Sequence, residues 1–152
     1  MTGIYGPTYP TTDYNDLVIN GYKRNADVYA AVSLIARACS AVPWYIATVD
    51  ANGDDQDYRN PELMKVMKRP FPNVTFSYWM KQAITDYLLG GNYFEYNIII
   101  DGKVREWQRM RPDYVSILPS SDLARPVAKC LCSYGVMREI EPEEVTHWRN
   151  FD

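Results

Sequence analysis

Two adjacent glycines, Gly90 and Gly91, divide this chain into unlike halves. They close the run "TFSYWMKQAITDYLLGG", and "NYFEYNIII" follows at once, an aromatic and β-branched segment of strand type. A helix that must stop and a strand that must begin within about two residues need a left-handed residue between them, and glycine takes that conformation without steric penalty. Gly90 or Gly91 is therefore expected at positive φ, with Asn92 opening the strand. Before the junction the chain is mainly helix and loop; after it come short strands broken by Gly, Pro and Asp. Helices first and hairpins later imply an α+β fold, with N-terminal helices packed on antiparallel hairpins.

Upstream, residues 1–24 are rich in Tyr, Thr, Gly and Asn and read as a flexible arm. Residues 25–152 read as one domain, since 152 residues suffice for one core and are short for two. In "NADVYAAVSLIARACSAVPW", Asn25 suits an N-cap, Val28, Val32, Ile35 and Cys39 follow helical spacing, and Pro43 bars continuation. Alternation in the next segment, "WYIATVD", places Trp44 and Ile46 under this helix and turns Tyr45 and Thr48 outward. The loop "ANGDDQDYRN" imitates the first ligands of a calcium loop. Its sixth position is Asp55 rather than Gly and its twelfth is Pro61 rather than Glu, so it reads as solvated. Asn60-Pro61 starts a short helix, and Thr75 caps a longer one with an apolar face of Tyr78, Met80, Ala83, Ile84, Tyr87 and Leu88.

Several chemistries find no support in these residues. The net charge of −3 gives no global basic field for nucleic acid or anionic lipid. The start, "MTGIYGPTYPTTDYND", lacks the charged and apolar regions of a signal peptide, and the chain reads as cytoplasmic. Cys130 and Cys132 with the lone His147 would supply three zinc ligands where a closed site wants four; no metal and no cofactor is expected. His147 has no Ser or Cys neighbour in sequence and no glycine loop resembles a phosphate cradle, so nothing requires an enzyme.

The segment "IDGKVREWQRMRP" sets Arg105, Trp107, Arg109 and Arg111 along one strand. A two-residue Asp101-Gly102 turn would put Phe94, Tyr96 and Ile98 opposite the charged side chains. A three-residue loop with a glycine bulge shifts the register by one. Phe94, Tyr96 and Ile98 then share a face with Val104 and Met110, and Glu95 shares the other with Arg105, Trp107 and Arg109. That register buries apolar atoms together, and it leaves an outward face of mixed charge suited to protein contact, since Arg and Trp anchor interfaces. The alternative is a small nucleic-acid-binding module stacking bases on the same side chains.

Four segments in order resemble the HK97-type portal proteins of tailed bacteriophages. "VYAAVSLIARACSAVPWYI" resembles that family's first helix running through Pro43 into a strand, and "KRPFPNVTFSYW" its proline-rich turn and threonine-capped helix. "LLGGNYFEY" resembles its helix-to-strand junction, and "RMRPDYVSI" with "EPEEVTHWRNF" its later strands. Phe71 departs from the asparagine common in the family's turn. The family's chains continue beyond the last of these segments into channel-lining helices, so the resemblance covers the N-terminal wing portion. It implies a structural subunit of a dodecameric ring at one capsid vertex of the virion, the conduit for DNA packaging and ejection. The implied partners are other portal subunits, the major capsid protein, and double-stranded DNA passing through the ring. Terminase and the head–tail adaptor would bind through regions this chain does not include. Subunit contacts are expected from the arm 1–24 and the Arg105/Trp107/Arg109 face, and the isolated chain is expected to be a monomer or weak oligomer.

Overall fold

The computed structural model describes residues 13–150 other than 59, 123, 125 and 126. The first twelve residues of the expected arm and the last two of the chain lie outside that set. The second half of the arm is helical. Asp13 caps a single turn, α1 (Tyr14–Asp16), which runs into a π-helical segment at Leu17–Tyr22. Helix α2 (Ala26–Ala41) begins where expected, the Asn25 side chain accepting the N–H groups of Asp27 and Val28. Strands β1 (Ala47–Val49) and β2 (Asp55–Asp57) form a small antiparallel pair. Helix α3 (Pro61–Lys68) follows its Asn60 cap, and α4 (Phe76–Gly90) follows Thr75, whose hydroxyl accepts the Tyr78 N–H.

After the junction come β3 (Asn92–Ile100), β4 (Lys103–Met110), β5 (Val115–Pro119), β6 (Val127–Cys132), β7 (Arg138–Ile140) and β8 (Val145–Arg149). They build two antiparallel sheets, ordered β4-β3-β8 and β5-β6-β7. Strand β3 is central in the first sheet and is covered on both faces. Tyr93 points to one side, into a cluster with Trp79, Met80 and Ala83 of α4. Its neighbour Phe94 points to the other, where Met110, Cys130 and Ile140 join it in the seam with the second sheet. Helix α2 packs on α4 through Val32, Ser33 and Ala36, whose small side chains permit close approach, and the Ser77 hydroxyl donates to the Ser40 carbonyl. The domain thus has helices on one side of the central sheet and a second sheet on the other.

The two glycines serve different ends. Gly91 is the left-handed C-cap, with φ of 64° and its N–H on the Tyr87 carbonyl. Gly90 is a point of close approach: a Cβ there would lie 2.7 Å from the ring of Tyr14. Gly91→Ala is expected to cost about 1 kcal/mol through left-handed strain. Gly90→Ala should act instead by pushing the Tyr14 ring out of its seat. Thermal melts of both variants, alone and combined with Tyr14→Ala, check this; only the Gly90 effect should vanish in the Tyr14→Ala background.

Two expectations about local packing need correction. Trp44 does not lie under α2. It is 51% exposed, touching Phe76 edge-on at 6.4 Å and donating its indole N–H to the Cys39 carbonyl. The chain leaves α2 at Val42 in extended conformation, and regular strand starts only at Ala47, so alternation has no force at Trp44. The β3–β4 turn is the two-residue kind, Asp101 and Gly102 both having positive φ. The shift in register comes from a bulge farther along. Ile99 pairs with Val104 and Ile98 with Glu106, leaving Arg105 as the extra residue. Phe94 and Met110 share a face as expected, but Val104 falls on the Trp107 side.

Candidate functional site

The strand bearing the arginines and tryptophan lies at the centre of the domain's polar chemistry. Trp107 does not face outward: its ring lies 5.2 Å from that of Trp79 on α4. Trp79 meets Phe76 at 5.4 Å and the edges of Tyr93 and Trp148 at 6.0 and 6.1 Å, making an aromatic cluster between helix and sheet. Arg109, one alternation further, forks onto Asp86 of α4, with Nε donating to Oδ2 at 2.5 Å and a terminal nitrogen to Oδ1 at 2.6 Å. Asp86 is 1% exposed, and the Tyr14 hydroxyl donates to its Oδ1. Burial works against the Arg109 charge, yet the hydrogen bond and charge of Asp86 outweigh it and hold the guanidinium above its ordinary pKa. Burial, then Asp86, pushes the Tyr14 phenol up, so it stays protonated and donates.

The outward reading of this face is therefore reversed for Trp107 and Arg109. A strand at a sheet edge usually turns its charges to water, but here α4 covers the face and Asp86 supplies the anion that makes a buried guanidinium tolerable. The other two arginines lie elsewhere. Arg105, at the bulge, is exposed and reaches Glu62 of α3 at 3.4 Å, beside a Lys103–Glu62 pair at 2.9 Å. Arg111 forks onto Asp113 at 3.0 and 2.9 Å and sits 5.0 Å over the Tyr114 ring. The four cations thus serve three separate contacts, and the indole and guanidinium that would stack on bases are already engaged.

Glu95 is also on this face and 4% exposed, with the Tyr93 hydroxyl donating to it at 2.8 Å. Burial raises its pKa from 4.5 to about 7. Tyr93 and the nearby Trp79 indole N–H, which makes no hydrogen bond of normal geometry, pull the other way. The folded state thus holds this proton more tightly than the unfolded chain, so the contribution of Glu95 to stability is fully present below about pH 4.5 and is lost as pH rises through 7. Glu95→Gln keeps an acceptor for Tyr93 and removes the charge. It should stabilise the fold at pH 8 by up to roughly 3 kcal/mol and flatten this part of the pH–stability curve, as urea unfolding at pH 5 and 8 would record.

Asn92 and His147 tie the junction to the last strand. The Asn92 amide donates to the Gly90 carbonyl at 3.0 Å, which turns its Oδ1 toward His147 Nε2 at 2.8 Å. The imidazole stacks on Phe94 at 4.2 Å, and burial, then Arg149, lowers its pKa, leaving it neutral with the proton on Nε2. Its contacts are those of a structural residue. A cleft of about 530 Å³ between the sheets is lined by Tyr96, Met110, Arg111, Tyr114, Cys132 and Arg138.

The residues that sequence reasoning passed over are Tyr14, Trp79, Asp86 and Tyr93. One signal was present for Asp86. With Trp79 and Ala83 it falls at seven- and three-residue helical spacing on the buried stripe, and an acid there requires a cationic partner.

The described residues thus form an α+β module in which an aromatic cluster and a buried ion pair lie between a long helix and the central sheet. Comparison with known proteins gives the family: the phage portal protein family matches residues 26–152, and the chain belongs to it. Similar solved chains include one in the neck of an empty GTA particle computed with C6 symmetry. It has a TM-score of 0.78 at 20% identity, over 99% of this chain and 40% of that one. Another, in the neck of a native GTA particle computed with C12 symmetry, has a TM-score of 0.76 at 21% identity over 97% of this chain and 38% of that one. An uncharacterized protein of Rickettsia bellii (strain RML369-C) is 27% identical over 103 residues, 68% of this chain and 24% of its own length. The chain thus spans about two-fifths of the similar solved chains and a quarter of the Rickettsia protein.

Proposed function

We propose that this chain is the wing portion of a portal subunit, a structural component of a ring at one vertex of a phage or phage-like particle. The observation that carries the reading is the extent of the family match, residues 26–152, together with a fold that follows neck chains over nearly the whole of this one. The role asks for rigid packing and for surfaces that meet other proteins, and it asks for no catalysis. In this reading the chain's partners are neighbouring portal subunits, in a ring of twelve, and the major capsid protein. Double-stranded DNA passes through the assembled ring, and terminase and the head–tail adaptor bind parts of a portal subunit that this span does not include. The net charge of −3 supports a wall rather than a grip, since a conduit must let a polyanion slide.

The test is localisation. An epitope-tagged chain should co-purify with particles from its host, and gold-labelled antibody should mark a single vertex of each. Label spread over the capsid, or particles free of the chain, would reject the reading.

A further inference from the structure

Two exposed apolar patches lie on opposite sides of the central sheet. On the helical side, α2 presents Leu34, which is 65% exposed, together with Ile35 and the alanines Ala30, Ala31 and Ala38. The buried stripe of the same helix, Val32, Ser33 and Ala36, faces the other way onto α4. On the second-sheet side, the turn between β6 and β7 carries Tyr134, Val136 and Met137, with Val136 75% exposed. Exposed large apolar side chains grouped together mark places where another surface docks. Each patch also carries one charge with no side-chain partner among the described residues. Asp27 lies in the first turn of α2, seven residues before Leu34 on the same face, and Arg138 follows Met137.

We infer that these patches are the two halves of a head-to-tail contact: the α2 face of one copy receives the β6–β7 turn of the next. The occupant is a second copy because the patches complement each other in kind, apolar to apolar and acid to base. They also lie on opposite sides of one domain. A contact that joins two different surfaces of the same chain propagates from copy to copy and closes into a ring when the rotation allows, whereas a twofold contact would use one patch against itself. The alanines beside Leu34 let a bulky turn approach the helix backbone closely. The inference rests on the ring reading above and adds to it the surfaces that do the joining. It moves the expected contact away from Trp107 and Arg109, which α4 occupies.

The experiment uses two charge substitutions at exposed positions, Leu34→Asp and Val136→Asp, in the 152-residue chain. Circular dichroism melts should match the parent, since neither side chain is in the core. In sedimentation equilibrium the parent should self-associate as concentration rises, and each variant alone should associate at least tenfold more weakly. An equimolar mixture of the two should form dimers and stop there, because each variant keeps the patch the other has lost. Variants that associate like the parent, a mixture that stays monomeric, or a parent monomeric to about 1 mM would each overturn the assignment. Labelling of particles separates this outcome from the fate of the portal reading. If both variants still mark one vertex as the parent does, the portal role stands and the surface assignment falls. If the patches pair in solution but the chain is absent from particles, the portal role falls.

Discussion

Arg109→Ala is expected to lower the unfolding free energy by about 3–5 kcal/mol, the range for breaking a buried ion pair by removing one partner. The loss leaves Asp86, 1% exposed, with a full charge and only the Tyr14 hydroxyl to stabilise it. Asp86→Ala should cost less, because the Arg109 side chain keeps about a quarter of its surface in water and can turn its guanidinium outward. That ordering is the useful part of the prediction, since a simple count of hydrogen bonds, three at Asp86 and two at Arg109, would put the larger loss at position 86. Tyr14→Phe removes one hydrogen bond to a buried carboxylate and should cost about 1.5–3 kcal/mol. Replacing both charged partners by apolar residues of similar volume, Asp86→Leu with Arg109→Met, should recover most of the loss. Urea unfolding of the four variants checks the series; equal losses at positions 86 and 109 would show that Arg109 is held in place even without its partner.

Trp79→Ala should have an effect of the same size, about 3–5 kcal/mol, by opening a cavity where helix and sheet meet. The ring touches Phe76, Tyr93, Trp107 and Trp148, so its loss unsupports aromatic side chains from α4, β3, β4 and β8 together. Trp79→Phe should cost much less: it keeps most of the contact surface and removes an indole N–H that is buried without a hydrogen-bond partner. Near-ultraviolet circular dichroism should lose most of its aromatic signal in Trp79→Ala. A variant that melts with the parent would place the core elsewhere.

What could be read from the residues was what a single element decides for itself. Asn25, Asn60-Pro61 and Thr75 each start a helix where their side chains can accept backbone N–H groups, and Gly91 ends one because no other residue type takes that φ cheaply. The order of helices and strands followed from those marks. What could not be read was which face of β3 and β4 meets what. The choice of an outward arginine face assumed a sheet with one wet side, and β3 has none. Asp86, the group that reconciles Arg109 with burial, sits on α4, 23 residues earlier in the chain, and nothing local announces their meeting. The pocket that takes Tyr14 was hidden for the same reason, since a glycine read as a helix stop gives no hint that a distant ring fills the space its side chain would occupy.

The bulge at Arg105 makes the hairpin tolerant of one change in length and intolerant of others. Every pairing on either side of it, Ile99 with Val104 and Ile98 with Glu106, survives unaltered if Arg105 is deleted, because the remaining residues then alternate without interruption. Such a deletion forfeits only an exposed contact with Glu62, which Lys103 also makes. Deleting a residue anywhere from Glu106 to Met110 instead swings Trp107 or Arg109 away from α4, unless the extra residue is consumed to restore the phase. Natural length variation among related hairpins should therefore collect at this one position.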